Sequence, residues 1–264
     1  MQERGRKTMT KPVLITKGVT KTYGAKNNMY MALDHIDLEV NEGEFVGIMG
    51  PSGAGKTTLL NIISTIDTPT SGDIIIDGQS IVRMKEEQLA LFRRSKLGFV
   101  FQDYNLLDSL TVRENIALPL ALSHVKAAEI DERVVRIAKK FGIDPILDKY
   151  PYQISGGQKQ RCAASRAMVS NPSLILGDEP TGALDSKSAT DLLESMKELN
   201  EQDRVTILLV THDAFASSYC QRVLFIKDGR LFTELRKEDL TRKQFFNAIL
   251  NMLSSIGGGV SDVI

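Results

Sequence analysis

Residues 50–58 read GPSGAGKTT, and they sit directly between an apolar run and an amphipathic one. The run before them, EFVGIM (44–49), has the composition of a buried strand, and KTTLLNIIST, from Lys56, reads as a helix. Gly50, Gly55, Lys56 and Thr57 fit the pattern G-x-x-x-x-G-K-[ST], in the strand-to-helix setting that gives the pattern meaning. A sharp turn alone would account for the glycines, but it has no use for Lys56 or for the hydroxyls of Thr57 and Thr58. A polyphosphate uses all of them. Glycine lets the backbone of Gly50, Pro51, Ser52, Gly53, Ala54 and Gly55 wrap closely round an anion. The helix start adds free N–H groups and the positive end of a dipole. Lys56 then reaches the β- and γ-phosphates, and the Thr57 hydroxyl is suited to a Mg²⁺ ion. A nucleoside triphosphate with Mg²⁺ is the ligand this implies, in an α/β fold built on a P-loop.

Lys plus Arg equal Asp plus Glu at 33 each, so the formal charge is zero, which argues against a dedicated nucleic-acid binder. The longest apolar runs fall short of the ~18 residues of a membrane span, and no signal-peptide pattern opens the chain. The chain therefore reads as a cytoplasmic protein that works at a membrane only through a partner. Cys162 and Cys220 lie far apart and match no metal-ligand spacing; they read as two buried, reduced thiols.

Along the chain, strands and helices alternate at both ends. SGDIIIDGQS holds a short strand at 74–76 between turns at Gly72 and Asp77-Gly78, EEQLALFRRSK is helical, and LGFVFQ is a strand. Thr111 and Glu114 have capping-box spacing, and AAEIDERVVRIAKKF forms an amphipathic helix ending at Gly142. A helix after ISGGQ stops near Asn171-Pro172, and SKSATDLLESMKELN is another. SLILGDEP, VTILLVTH and RVLFIKDG are strands, and runs such as VTILLV are apolar on both faces, as parallel strands covered on each side must be. Residues 111–150 read as wholly helical, so an α/β core carries a helical insertion.

Two further stretches narrow the chemistry. SLILGDEP ends a strand in Asp178 and Glu179, which puts two carboxylates at the sheet edge where nucleotides bind in open α/β folds. Asp178 is placed for the Mg²⁺ shell and Glu179 for the attacking water. ISGGQKQR (154–161) sets Ser155, Gly156, Gly157 and Gln158 at a helix start, a second anion-facing tip. An ordinary Ser155 cap explains the serine alone. A second phosphate reader in a chain that already has a cradle points to a nucleotide shared between two copies.

With these words in this order, the sequence from about 13 to 235 resembles the ATP-binding cassette family, with ISGGQ in place of the usual LSGGQ. The resemblance implies a P-loop NTPase core of RecA-like type with a mostly parallel sheet. It also implies a small N-terminal antiparallel β subdomain and a helical subdomain inserted over roughly 103–156. Residues 236–264 would be a C-terminal helix and tail, and 1–12 a frayed basic segment. By the same likeness Tyr23 in KTYG stacks on adenine and Gln102 reaches Mg²⁺ and the partner protein. His212 in VTILLVTH contacts the γ-phosphate, and ALDS (183–186) touches the opposing subunit. Catalysis would then rest on Glu179, His212 and Lys56, with Thr57, Gln102 and Asp178 on the metal.

Longer stretches such as FQDYNLLDSLTV, YPYQISGGQKQR and DEPTGALDSKSATDLL look like the branch with lipoprotein-release, macrolide-export and cell-division cassettes. Within it the chain is most similar to ATPase subunits of bacitracin- and lantibiotic-resistance transporters. One departure is Gly177, where that group usually has Ala. The resemblance implies a head-to-tail homodimer with ATP at its interface, peripheral on the inner face of the cell membrane and docked on an integral membrane permease. Tyr104, Leu106 and Leu107 either face that permease or pack internally. The rival within reach is a cell-division or lipoprotein-release cassette that acts on a membrane partner without peptide resistance. A cassette of DNA repair or of the ribosome would carry a long coiled coil or a second cassette, and a kinase or GTPase leaves ISGGQ unexplained.

Overall fold

Strands with apolar side chains on both faces fold only if both faces are covered, and the sheet here is covered by two different layers. The structure, a computed structural model, describes residues 11–25 and 28–256. β1 (Pro12–Tyr23) and β2 (Tyr30–Asn41) pair antiparallel, and β3 (Phe45–Met49) follows as a fully buried strand. α1 (Lys56–Ile63) leads to β4 (Ser71–Ile76), β5 (Gln79–Ser80), α2 (Glu86–Lys96) and β6 (Leu97–Phe101). The insertion holds α3 (Val112–Leu122), α4 (Ala127–Lys140) and two short 3₁₀ turns, Asp144–Ile146 and Pro151–Gln153. Then come α5 (Gly156–Met168), β7 (Leu174–Asp178), α6 (Ser186–Asp203), β8 (Ile207–Val210) and α7 (Ala214–Ser217). β9 (Arg222–Lys227), β10 (Arg230–Arg236) and α8 (Arg242–Ile256) complete the described chain.

The six-stranded sheet has the order β10-β9-β3-β8-β7-β6, parallel except for β10, and a second, antiparallel sheet has the order β2-β1-β4-β5. Alternation within each central strand divides the core. Phe45, Met49, Ile175, Ile207 and Leu209 face the helices α3 to α8, whereas Val46, Ile48, Leu174, Leu176, Leu208 and Val210 face α1, α2 and the antiparallel sheet. β3 lies between β8 and β9, so the chain crosses over it, and the cradle follows β3 at that switch in strand order.

Three details depart from the sequence reading, each for a local reason, whereas the Thr111 capping box and the two cysteines follow it. The helix from Lys56 stops at Ile63 instead of running on to Thr65, because Ser64 Oγ bonds back to the Asn61 carbonyl and Thr65 turns left-handed at φ 63°. β10 follows a turn in which Asp228 and Gly229 both have positive φ, the Asp-Gly hairpin signal within IKDGR. α7, at four residues, is too short to show a period. The Thr111–Glu114 capping box is formed in both directions: Glu114 N–H donates to Thr111 Oγ1 at 3.2 Å, and Thr111 N–H to Glu114 Oε2 at 2.8 Å. These bonds hold the Glu114 carboxyl below its usual range. Both cysteines are buried and free, and burial pushes the Cys162 thiol up to about 12.

Candidate nucleotide site

The cradle is shaped by close backbone approach. A Cβ at Gly50 would lie 2.1 Å from the Ile226 carbonyl oxygen, and one at Gly55 would lie 2.4 Å from that of Ala32. Gly55, at φ 99°, is the N-cap of α1 and supplies no side-chain cap, so the first-turn N–H groups of Lys56, Thr57 and Thr58 have no helical partner. The Lys56 ammonium lies across the loop and donates to the carbonyls of Gly50 at 2.8 Å and Pro51 at 2.9 Å. Burial lowers its pKa, while the charges of Glu179 and Asp178 oppose that shift. Two carboxylates therefore lie close enough to Lys56 to be felt by it.

Asp178 ends β7 level with Phe101 of β6 and Val210 of β8, so acid, lysine and loop share one sheet edge. Burial and the neighbouring Glu179 charge raise the Asp178 carboxyl, against the pull of Lys56. Asp178, the Thr57 hydroxyl and the Gln102 amide oxygen are each hard oxygen donors, the type that suits Mg²⁺. Gln102 rests beside Gly182, whose added Cβ would meet its amide carbon at 3.1 Å.

Glu179 has a left-handed backbone at φ 48°, sparsely populated for a non-glycine residue. Its carboxylate is held from one side by three donors. His212 N–H donates to Oε1 at 3.0 Å, His212 Nδ1 lies 2.8 Å from the same oxygen, and Thr211 Oγ1 donates to Oε2 at 2.9 Å. A carboxylate only accepts, so Nδ1 carries the proton and Nε2 is the outward atom of an exposed ring. The sequence reading gave Glu179 and His212 separate duties; the structure brings the two side chains into contact.

Tyr23 lies at the rim of the loop. Its hydroxyl donates to Asp67 Oδ2 at 2.8 Å, and the Lys21 ammonium sits 4.9 Å from the ring centroid. Tyr30 went unnoticed in the sequence: its hydroxyl donates to the Gly53 carbonyl at 3.1 Å, on the cradle itself. Thr211 and Asn115 also escaped notice. Asn115 is fully buried, and its amide binds Leu107 N–H and the carbonyls of Leu107, Leu110 and Thr111, which fixes the loop after Gln102. Arg166 of α5 donates to the Tyr104 and Asn105 carbonyls of that same loop. Leu106 packs against the core, and Leu107 stays 47% exposed.

Ser155 is the N-cap of α5. Its hydroxyl accepts from Gln158 N–H at 3.3 Å, and Gln158 Oε1 accepts from Ser155 N–H at 3.0 Å. Ser155 and Gly156 are exposed, whereas Gly157 packs against Ser188 of α6. A cavity of 610 Å³ at the opposite edge of the sheet, lined by Lys11, Asp77, Lys140 and Arg204 among others, includes none of these residues.

Comparison with known proteins agrees with the geometry. The family profile described as "ABC transporter" matches residues 33–182. The bacitracin export ATP-binding protein BceA of Halalkalibacterium halodurans is 52% identical over 250 residues, which is 95% of this chain and 99% of that protein. The ABC transporter ATP-binding protein YxdL of Bacillus subtilis is 52% identical over 251 residues, 95% of this chain and 97% of its own length. The dimeric post-hydrolysis structure of the cassette MJ0796 of Methanocaldococcus jannaschii, bound to ADP and Pi, aligns with a TM-score of 0.77 at 40% identity. It covers 84% of this chain and 98% of its own.

Proposed function

The chain belongs to the ABC transporter family, and from that premise we propose that its ATPase powers antimicrobial-peptide resistance of the bacitracin or lantibiotic type through a separate membrane permease. The likeness to a bacitracin export ATP-binding protein over 95% of the chain supports the peptide assignment. Residues 13–235 form the ATP-binding domain in this reading, with 103–156 as its helical insertion. The protein works on the inner face of the cell membrane; among the described residues no helix is long and apolar enough to cross one.

The observation that carries the chemistry is the cluster of Glu179, His212 and Thr211 on the sheet edge it shares with Lys56. In the proposed mechanism the N–H groups of residues 53–58 and the Lys56 ammonium hold the β- and γ-phosphates. Lys56 leaves the Gly50 and Pro51 carbonyls to do so. The Tyr23 ring stacks on the base. Thr57, Gln102 and Asp178 would hold Mg²⁺, which when bound would supply positive charge to offset that on the phosphate oxygens. Glu179 takes a proton from the attacking water, and the His212–Thr211 donors keep its carboxylate aimed. His212 Nε2 faces the γ-phosphate. Ser155, Gly156, Gly157 and Gln158 of a second copy close the site, so hydrolysis requires a head-to-tail dimer. The dimeric, ADP- and Pi-bound cassette at 40% identity supports that arrangement.

Glu179→Gln tests the assignment. ATP binding should persist while turnover falls about 10²- to 10⁴-fold, the share of a general base, and the protein should run as an ATP-dependent dimer on size exclusion. Wild-type turnover by this variant would remove Glu179 from the mechanism. In the host, the same variant should fail to restore bacitracin tolerance to a strain lacking the chain.

A further inference from the structure

α8 has no part in the mechanism above, yet it packs on α7, the turn that follows His212. Phe245 and Ile249 are fully buried in the core on the helical side of the sheet, and the carbonyl of Ile256, at the far end of α8, accepts from Lys227 Nζ at 3.1 Å. At the near end Thr241 caps the helix, with Gln244 N–H donating to Thr241 Oγ1 at 3.3 Å and Thr241 N–H to Gln244 Oε1 at 2.9 Å. Arg242 is the first residue of α8, an unfavourable place for a cation because the helix dipole is positive there. Its guanidinium lies instead over two aromatic rings, 4.5 Å from the Tyr219 centroid and 5.4 Å from that of Phe215. The two rings meet edge to face at 5.6 Å.

Phe215 belongs to α7, a single turn too short to hold itself together without packing. Asp213 caps that turn by accepting from Phe215 N–H at 2.8 Å, and Asp213 N–H donates to Thr211 Oγ1 at 3.0 Å. Thr211 and His212 are the donors that hold Glu179 in its left-handed conformation. Each link from α8 to the carboxylate is thus a direct contact: Arg242 to Phe215, Phe215 to Asp213, Asp213 to Thr211, and Thr211 to Glu179.

We propose that Arg242 is a positioning residue for ATP hydrolysis, clamping α7 so that Thr211 and His212 keep Glu179 aimed at the water. This rests on the role of Glu179 proposed above. The charge that α8 disfavours at its own N-terminus is placed over one ring of α7 and one in the turn that follows it. The clamp acts on the hydrolytic side of the site, since the rings Arg242 covers belong to α7 and the turn after it.

The test uses the full chain with Arg242→Met, which keeps the stem over the rings and removes the charge, and Arg242→Lys, which keeps a cation. Phosphate release gives kcat and KM, a fluorescent ATP analogue gives affinity, and thermal unfolding gives Tm. Arg242→Met should lower kcat about fivefold to tenfold, the range of a partly exposed cation–π contact, with KM, affinity and Tm near wild type. Arg242→Lys should recover most of the loss. Unchanged kcat, or kcat falling together with affinity and Tm, overturns the clamp. Adding Arg242→Met to Glu179→Gln separates the two readings. No further loss is expected if Arg242 acts through Glu179, and a full multiplicative loss overturns the clamp while leaving Glu179 in place. Wild-type turnover by Glu179→Gln alone would instead remove the reading beneath it.

Discussion

α1 is capped by a glycine and α5 opens with one, and both tips are proposed to face phosphate, but their first turns are finished in opposite ways. At α1 the cap is Gly55, left-handed and without a side chain to offer, and Lys56 folds back on the loop's own carbonyls. At α5 the cap is Ser155, which closes a reciprocal pair of bonds with Gln158. A Cβ at Gly55 would collide with the Ala32 carbonyl, so the cradle admits only glycine there. The α5 tip is exposed and already satisfied by its own side chains. The difference teaches that a helix N-terminus is not by itself a binding site: the α1 tip leaves its first-turn N–H groups without a side-chain cap, as the proposed cradle needs, and the α5 tip suits the smaller proposed task of adding contacts to an anion already held.

That contrast can be broken at three points. The largest effect should follow Gly55→Ala, which combines a left-handed backbone with a Cβ 2.4 Å from the Ala32 carbonyl oxygen. We expect a loss of about 2–5 kcal/mol of stability and of ATP binding, read by denaturant unfolding and nucleotide titration. Ser155→Ala should cost only about 1 kcal/mol as a lost cap and leave ATP affinity per chain unchanged. Its turnover should still fall about 10²-fold if the serine serves a partner's phosphate. Full-speed turnover, proportional to the first power of enzyme concentration, would make the two tips independent and end the dimer reading. Gly177→Ala should matter least. Its Cβ would come 3.1 Å from Leu209 Cδ1, a side-chain tip that can shift by a few tenths of an ångström. Stability should move by under about 1 kcal/mol in either direction and turnover should not change. A tenfold loss of turnover would show that β7 sets the Asp178–Glu179 geometry more tightly than the cradle comparison implies.

The cradle and the strand-end carboxylates were legible because their chemistry is local: Gly50 to Thr58 and Asp178-Glu179 are contiguous words beside apolar runs. The central strands were legible for the same reason, being apolar on both faces. Contacts made across the fold were not. Nothing near Tyr30 in the sequence mentions Gly53, and Asn115 looks like any polar residue on a helix until the loop it binds is in place. The contact between Glu179 and His212 joins residues 33 positions apart and depends on β7 and β8 lying in register. β1 and β2 were read only through family likeness, since bulges interrupt their alternation.

The loop after Gln102 is stiff for a connecting segment, because a single amide on α3 and a guanidinium on α5 fasten it at both ends. Exposed Leu107 therefore stands on a segment pinned to α3 on one side and, through Arg166, to the last turn of α5 on the other. The segment is built as a strut with two bearings, so a partner seated on Leu107 would meet α3 and the far end of α5 together.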